Sequence, residues 1–188
     1  MSPSSARLAL SFDAGALQDD LDGLGPGDWV PHFNTGYYEG DWSGAALRSV
    51  GGTEGRLYPD PTARERFADT PLLDRCPAAS GALESLGCPL LAARFLRVGP
   101  GSRIRKHTDL DLSVEDGEVR LHVPVVSNPD VVFLLDGSRV EMGPGEVWYL
   151  NFNLPHAVEN RGSDARVHLV VDCVVNDWLR DLILAGWR

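Results

Sequence analysis

From Cys88 to Val175 the chain is a succession of short apolar runs parted by turn-forming residues, and this punctuation limits the fold more than any other feature. Leu90 to Val98 ends at Gly99-Pro100-Gly101, a strong turn signal. Val119 to Val126, Val131 to Leu135, Ser138 to Met142, Glu146 to Leu150 and Arg166 to Val175 read as further strands. Between them lie Asn128-Pro129-Asp130, Asp136-Gly137, Gly143-Pro144-Gly145 and Arg161-Gly162-Ser163. Asp136-Gly137 is a hairpin signal because both residues tolerate the positive φ of a tight reverse turn. Short strands at such intervals predict a β-sandwich or barrel. Asp177 to Leu184 is expected to close the unit as a helix, with Trp178 and Leu182 on its packing face.

The first half reads differently. Arg7 to Phe12 predicts a strand, and Asp13 is placed to cap a helix running through Ala16 to Leu21. Trp29 to Phe33 is a second candidate strand, and the glycine-rich stretch Tyr37 to Gly55 reads as loops. Thr62 to Ala68 and Ser80 to Leu86 read as short helices. With no repeat, low-complexity tract or linker, the 188 residues are expected to form one domain, a mixed part to residue 87 and a mainly β core from 88.

Composition narrows the partners. Seventeen basic against 27 acidic residues leave a net charge of −10, which repels nucleic-acid phosphates and anionic membrane surfaces. No stretch approaches the roughly 18 apolar residues of a membrane helix. Met1 to Ser11 holds one Arg and no sustained apolar run, unlike a signal peptide, so a cytoplasmic location is expected. Cys76, Cys88 and Cys173 are too scattered for a disulfide framework or zinc knuckle, and Cys173 reads as a small buried hydrophobe.

Against this background a few polar residues stand out. His107-Thr108-Asp109 places two ligand-type side chains on one face of an extended segment, since side-chain direction alternates. His156 follows Asn153-Leu154-Pro155, where a strand is expected to end in a loop. Two imidazoles and a carboxylate can form a facial triad that leaves adjacent metal positions open. Arg166 opens an apolar strand, and a buried guanidinium needs a partner. Two readings supply one: the far carboxylate of a metal-chelating dicarboxylate held in a bidentate fork, or an internal salt bridge. Arg120 and His122 share a face of Arg120-Leu121-His122-Val123-Pro124, which suggests either an anion site or a solvated strand face.

His107-x-Asp109, the Arg120 to Pro124 strand, the run Gly145 to His156 and Arg166 together resemble the aspartyl/asparaginyl β-hydroxylase-like 2-oxoglutarate dioxygenases. The wording is closer to bacterial members such as cis-4-proline hydroxylases, over about Leu90 to Leu182. The resemblance implies a double-stranded β-helix (jelly-roll, cupin-like) core with flanking helices. It implies Fe(II) on His107, Asp109 and His156, 2-oxoglutarate as cosubstrate with its distal carboxylate on Arg166, and O2. Arg120 and His122 match positions that contact the cosubstrate. A serine that binds the cosubstrate in peptide hydroxylases of the family is Leu96 here, which removes one expected hydrogen bond. Proline hydroxylases of the family carry a further C-terminal domain, which loosens the expectation of free proline as substrate.

The resulting expectation is hydroxylation of an amino acid, free or within a peptide, with release of succinate and CO2. A sensing or structural metal-binding cupin and a desaturating oxygenase are the alternatives. For the substrate, Arg94 would face the same way as Leu96 and suit a carboxylate, and Trp148 and Asn151 lie on the segment leading to His156. His168, on the Arg166 face, is either a residue supporting the site or a satisfied core histidine. His32, Asn34, Trp42 and Arg48 belong to the half where substrate loops would sit, and Asp111 to Glu118 is placed to act as a lid.

Overall fold

Alternating side-chain direction along the strands builds two facing sheets with a lined space between them. A computed structural model describes residues 3–58 and 66–186. In chain order the strands are β1 (Ser5–Ser11), β2 (Val30–Pro31), β3 (Tyr38–Glu39), β4 (Trp42–Val50), β5 (Phe67–Asp69), β6 (Leu90–Val98) and β7 (Arg103–His107). They continue as β8 (Glu118–Val126), β9 (Val131–Leu135), β10 (Ser138–Arg139), β11 (Glu146–Leu150), β12 (His156–Asn160) and β13 (Arg166–Val174). The helices are α1 (Ala14–Asp22), α2 (Pro77–Glu84) and α3 (Asp177–Gly186).

The larger sheet runs β1-β11-β8-β13-β6-β4-β2, with β5 on β4; the smaller runs β10-β9-β12-β7-β3. All named pairings are antiparallel. One face of the larger sheet presents Val119, Leu121 and Val123 of β8, Val167, Leu169 and Val171 of β13, and Phe95 of β6 to a core that also takes Leu17, Ala79, Leu83, Leu179 and Ile183 from the helices. A side chain such as Leu121 or Leu169, buried to 1% exposure or less, contributes about 1.5–3 kcal/mol. The opposite face turns Arg94, Arg120, His122, Arg166, His168 and Asp172 toward the smaller sheet, where Trp42, Ile104, Phe133, Phe152 and Val158 form a second apolar cluster. Polar residues inside otherwise apolar strands therefore converge between the sheets. This is the double-stranded β-helix that the family resemblance implies.

Local chemistry explains the boundaries. Asp13 Oδ1 accepts from the N–H groups of Gly15 and Ala16 at 2.9 and 3.1 Å, capping α1 as its residue type predicts. Asp136 and Gly137 take φ of 49° and 77° and join β9 to β10 in a two-residue hairpin. Cys173 is fully buried and free.

Several expectations need correction. The stretch read as loops contains β4, nine residues long. A Cβ on Gly44 would meet Leu57 and Leu96 side-chain carbons at 2.8–3.0 Å, so its small residues reflect close packing and not a loop. Phe67 and Ala68, assigned to a helix, belong to the edge strand β5, while residues 62–65 of that expected helix lie outside the described residues. Trp29 to Phe33 shrinks to Val30–Pro31, and Ser138 to Met142 to Ser138–Arg139. β7 and β12 were not anticipated, and His156 begins a strand where a loop was expected. Among the described residues, no helix is long and apolar enough to cross a membrane.

Candidate metal and cosubstrate site

His107 is the last residue of β7 and His156 the first of β12, and the two are register partners. Their rings lie 4.2 Å apart between centroids. The Asp109 N–H donates to Phe152 O at 3.0 Å, which fastens the carboxylate-bearing segment beside them. One ligand atom from each of His107, Asp109 and His156 lies within 4.8 Å of the others.

Hydrogen bonds orient the imidazoles. His107 Nδ1 lies 2.8 Å from Arg105 O and His156 Nδ1 lies 3.1 Å from Leu154 O. A carbonyl only accepts, so each Nδ1 carries the proton and each Nε2 keeps its lone pair. His107 Nε2 stands 3.5 Å from Asp109 Oδ1. Burial pushes the His156 pKa down to about 4, against the opposing pull of the Leu154 carbonyl, so the ring is neutral at pH 7. Two neutral imidazoles with fixed tautomers and a carboxylate suit a divalent first-row metal, and the backbone carbonyls serve as the supports that metal-binding histidines need.

Arg120 completes the carboxylate's environment. Its Nη1 donates to Asp109 Oδ2 at 2.6 Å, while Nε and Nη2 donate to Asp172 at 2.7 and 3.2 Å. Burial opposes its charge, but Asp172 and Asp109 outweigh burial and hold the guanidinium protonated. Asp172 is held well below the usual carboxylate range: burial would raise it, and Arg120 and Arg94 prevail.

Arg166 is different. It is 2% exposed, and no carboxylate pairs with it among the described residues. Its Nη2 donates to His168 Nδ1 at 2.8 Å, its guanidinium lies 5.9 Å from the Phe133 ring centre, and its Nε has no partner. Burial alone pushes its pKa down to about 9. His168 Nδ1 must accept from Arg166, so the His122 Nδ1–H, 3.2 Å away, points at the same atom and His122 Nε2 is left buried without a partner. Burial first, and then Arg166, hold both histidines well below their ordinary pKa.

His107, Asp109, His156, Arg120, His122 and Arg166 all line one cavity of about 610 Å³. Leu96, at the expected serine position, lines it too and offers no hydrogen bond. A dianion that chelates a metal at one end and carries a second carboxylate fits this donor set, because it neutralises the buried cation that the protein leaves unpaired.

The substrate candidates fare differently. Arg94 is fully buried, donates to Asp172 at 2.8 Å and does not line the cavity, so the expected free cation is already neutralised. Trp148 packs against the second apolar cluster, with its indole N–H on Glu146 at 2.9 Å. Asn151 shapes the loop before His156, accepting from the Asn153 N–H at 3.1 Å. Neither lines the cavity. His32, Asn34 and Trp42 do, with His32 stacked flat on Trp42 at 3.5 Å; Arg48 instead pairs with Asp69 at 2.6 Å. His168 braces Arg166. The segment expected as a lid is fastened through Leu112 N–H to Asn153 at 3.1 Å and Asn153 to Asp116 at 2.7 Å.

Sequence reading passed over Asp172 and Tyr58. Asp172 had a signal, since it falls on the same face of its apolar strand as Arg166 and His168. Tyr58, whose ring lies 4.8 Å from the Arg94 guanidinium, follows a glycine-rich stretch and had none.

A double-stranded β-helix holding two histidines and an aspartate at one end of a lined cavity defines a cupin-like metal-site protein. A profile of the aspartyl/asparaginyl beta-hydroxylase family matches residues 15–175, and the chain belongs to that family. It is 27% identical over 168 residues to the L-proline cis-4-hydroxylase of Rhizobium meliloti (strain 1021), covering 87% of this chain and 58% of that protein. The chain thus spans little more than half the length of this curated relative. Its fold is similar to a Pseudomonas putida prolyl-4-hydroxylase, with a TM-score of 0.53, 16% identity, and coverage of 92% and 93% of the two chains. It is also similar to an oxidoreductase of the 2OG-Fe(II) oxygenase family from Burkholderia pseudomallei, with a TM-score of 0.52, 14% identity, and coverage of 85% and 80%.

Proposed function

We propose that this protein is an Fe(II)- and 2-oxoglutarate-dependent dioxygenase that hydroxylates an unactivated C–H bond of an amino acid, free or within a peptide. One observation carries the reading. The cavity that gathers His107, Asp109 and His156 also holds Arg166, a buried cation with no carboxylate of its own among the described residues. The name of the proline-hydroxylating relative supports the substrate class.

His107, Asp109 and His156 would hold the iron, and Arg166 the distal carboxylate of the cosubstrate. When bound, iron supplies the activation of O2 that couples decarboxylation of 2-oxoglutarate, to succinate and CO2, with hydroxylation. The chain's own residues do the rest. The carbonyls of Arg105 and Leu154 keep both imidazole lone pairs aimed at one point, and Arg120 fixes the carboxylate's outer oxygen. His168 steers the Arg166 fork, and Phe133 and Phe152 set apolar rings against the Arg166 and Arg120 guanidinium groups.

The test is anaerobic loading with Fe(II) and 2-oxoglutarate, then O2, with succinate and a +16 mass shift read across amino acids and peptides. Metal binding without succinate under every condition would instead make this a non-catalytic metal-binding cupin.

A further inference from the structure

Beside the metal ligands one wall of the cavity carries an arginine fork that is already filled. Asp172 on β13 lies opposite Arg120 on β8 in register, and Arg94 reaches it from β6 on the other side. Asp172 Oδ2 accepts from Arg94 Nη1 at 2.8 Å and Arg120 Nη2 at 3.2 Å. Its Oδ1 accepts from Arg120 Nε at 2.7 Å and Arg94 Nη2 at 3.4 Å. Two guanidinium groups thus clasp one internal carboxylate, with Asp172 and Arg120 facing the cavity and Arg94 behind them. Two converging arginines beside a metal site are what a substrate carboxylate would need. Here the protein supplies that carboxylate itself.

The surrounding charge reinforces the point. Arg120 also serves Asp109, and the other carboxylates that line the cavity, Asp111 and Glu118, add negative charge. Apart from Arg166, no lining residue among those described offers an uncompensated cation. Taking a free carboxylate out of water without a partner is strongly unfavourable. The mouth also suits something longer than one amino acid. Phe33, Tyr37 and Leu110, exposed by 75%, 40% and 81%, all line this cavity, and they are three of the five exposed large hydrophobic residues described.

We infer that Asp172 determines specificity: it fills the Arg94–Arg120 fork as an internal carboxylate and closes the site to substrates with a free carboxylate, so that the reacting residue enters with its carboxyl group masked as an amide, within a peptide. This rests on the reading of the site as a 2-oxoglutarate oxygenase, with Arg166 taken by the cosubstrate.

Calorimetry on the full chain separates the two. A first titration, of 2-oxoglutarate into the Mn(II)-loaded protein without O2, tests the oxygenase reading. Acetate and L-proline are then titrated into that complex; where 2-oxoglutarate fails to bind, an Arg166→Met background removes the other open cation. The wild-type chain should show no saturable binding of either probe. Asp172→Ala should bind acetate about tenfold or more tightly than the wild type, and Arg94→Met added to Asp172→Ala should abolish that gain. Should Asp172→Ala not fold, Asp172→Asn keeps the shape and removes the charge. Saturable wild-type binding of acetate or L-proline that Arg94→Met weakens would overturn the inference. So would an Asp172 variant that binds acetate no better than the wild type.

Discussion

His107 and His156 are register partners across β7 and β12, so the pairing of two strands brings the imidazoles together. Neither ring depends on a flexible loop for its position, and each Nδ1–H is tied to a carbonyl two residues earlier in its own chain segment. Substituting either histidine with Ala should therefore abolish tight metal binding while leaving the fold intact, because the strand pairing does not need the ring. The absorption of Co(II) titrated into each variant checks the first half and far-ultraviolet circular dichroism the second. Tight Co(II) binding by His107→Ala would place the metal elsewhere.

Arg166 makes opposite contributions with and without a ligand. Alone it is a buried cation whose only side-chain acceptor among the described residues is His168, and such a charge destabilises the fold. Arg166→Met should leave the ligand-free melting temperature unchanged or raise it, by about 2–4 °C for each kcal/mol relieved. The same change should raise the 2-oxoglutarate concentration for half-saturation by about a hundredfold, since losing one partner of a buried charge pair costs about 2–5 kcal/mol. Thermal melts with and without 2-oxoglutarate read both effects. A variant with undiminished 2-oxoglutarate affinity would remove Arg166 from the site.

Sequence alone singled out His107 and Asp109 through a spacing that puts two ligand-type side chains on one face of an extended segment, and Arg166 because a charged residue there opens an apolar strand. It also placed β6, β9 and β11 between the residues where they are found, because turn-forming Gly, Pro, Asn and Asp residues flank them. It missed β7 because Arg103 and Arg105 point outward to Glu39 at 2.8 and 2.6 Å, leaving Ile104 as the strand's one fully buried residue. Such an edge-like segment carries no apolar run. It missed the nature of Arg94 for a different reason: the partner, Asp172, is 78 residues distant in the chain, and which carboxylate meets which arginine is decided by strand order.

Acid should weaken the fold through His32. Its Nδ1 accepts from the Asn34 N–H at 3.1 Å, its ring lies on Trp42, and burial pushes its pKa down to about 4. The unfolded chain, with the ordinary value near 6.5, binds the proton more readily, so stability falls as pH drops from about 6.5 and the loss saturates below about 4. The slope is about 1.4 kcal/mol per pH unit for one such group. His32→Phe, which keeps the stack, should give a shallower decline of the urea midpoint between pH 6.5 and 4. An unchanged slope would show that His32 titrates freely in the folded state.

Arg120 offers the sharpest choice between two roles. The family resemblance puts it on the cosubstrate, whereas in this structure its Nη1 holds Asp109 Oδ2 at 2.6 Å and its other nitrogens hold Asp172. A residue that fixes the outer oxygen of a ligating carboxylate tunes metal affinity, and losing such a support typically costs 10–100-fold. Arg120→Leu should therefore raise the metal dissociation constant by about that factor, and Arg120→Lys, which keeps the charge but not the fork, should recover part of it. If the residue acted chiefly on the cosubstrate, metal affinity measured without 2-oxoglutarate would be unchanged and only the 2-oxoglutarate requirement would rise. Titrating Mn(II) in the absence and presence of 2-oxoglutarate distinguishes the two, and the bond to Asp109 predicts that the deficit is already present when no cosubstrate has been added.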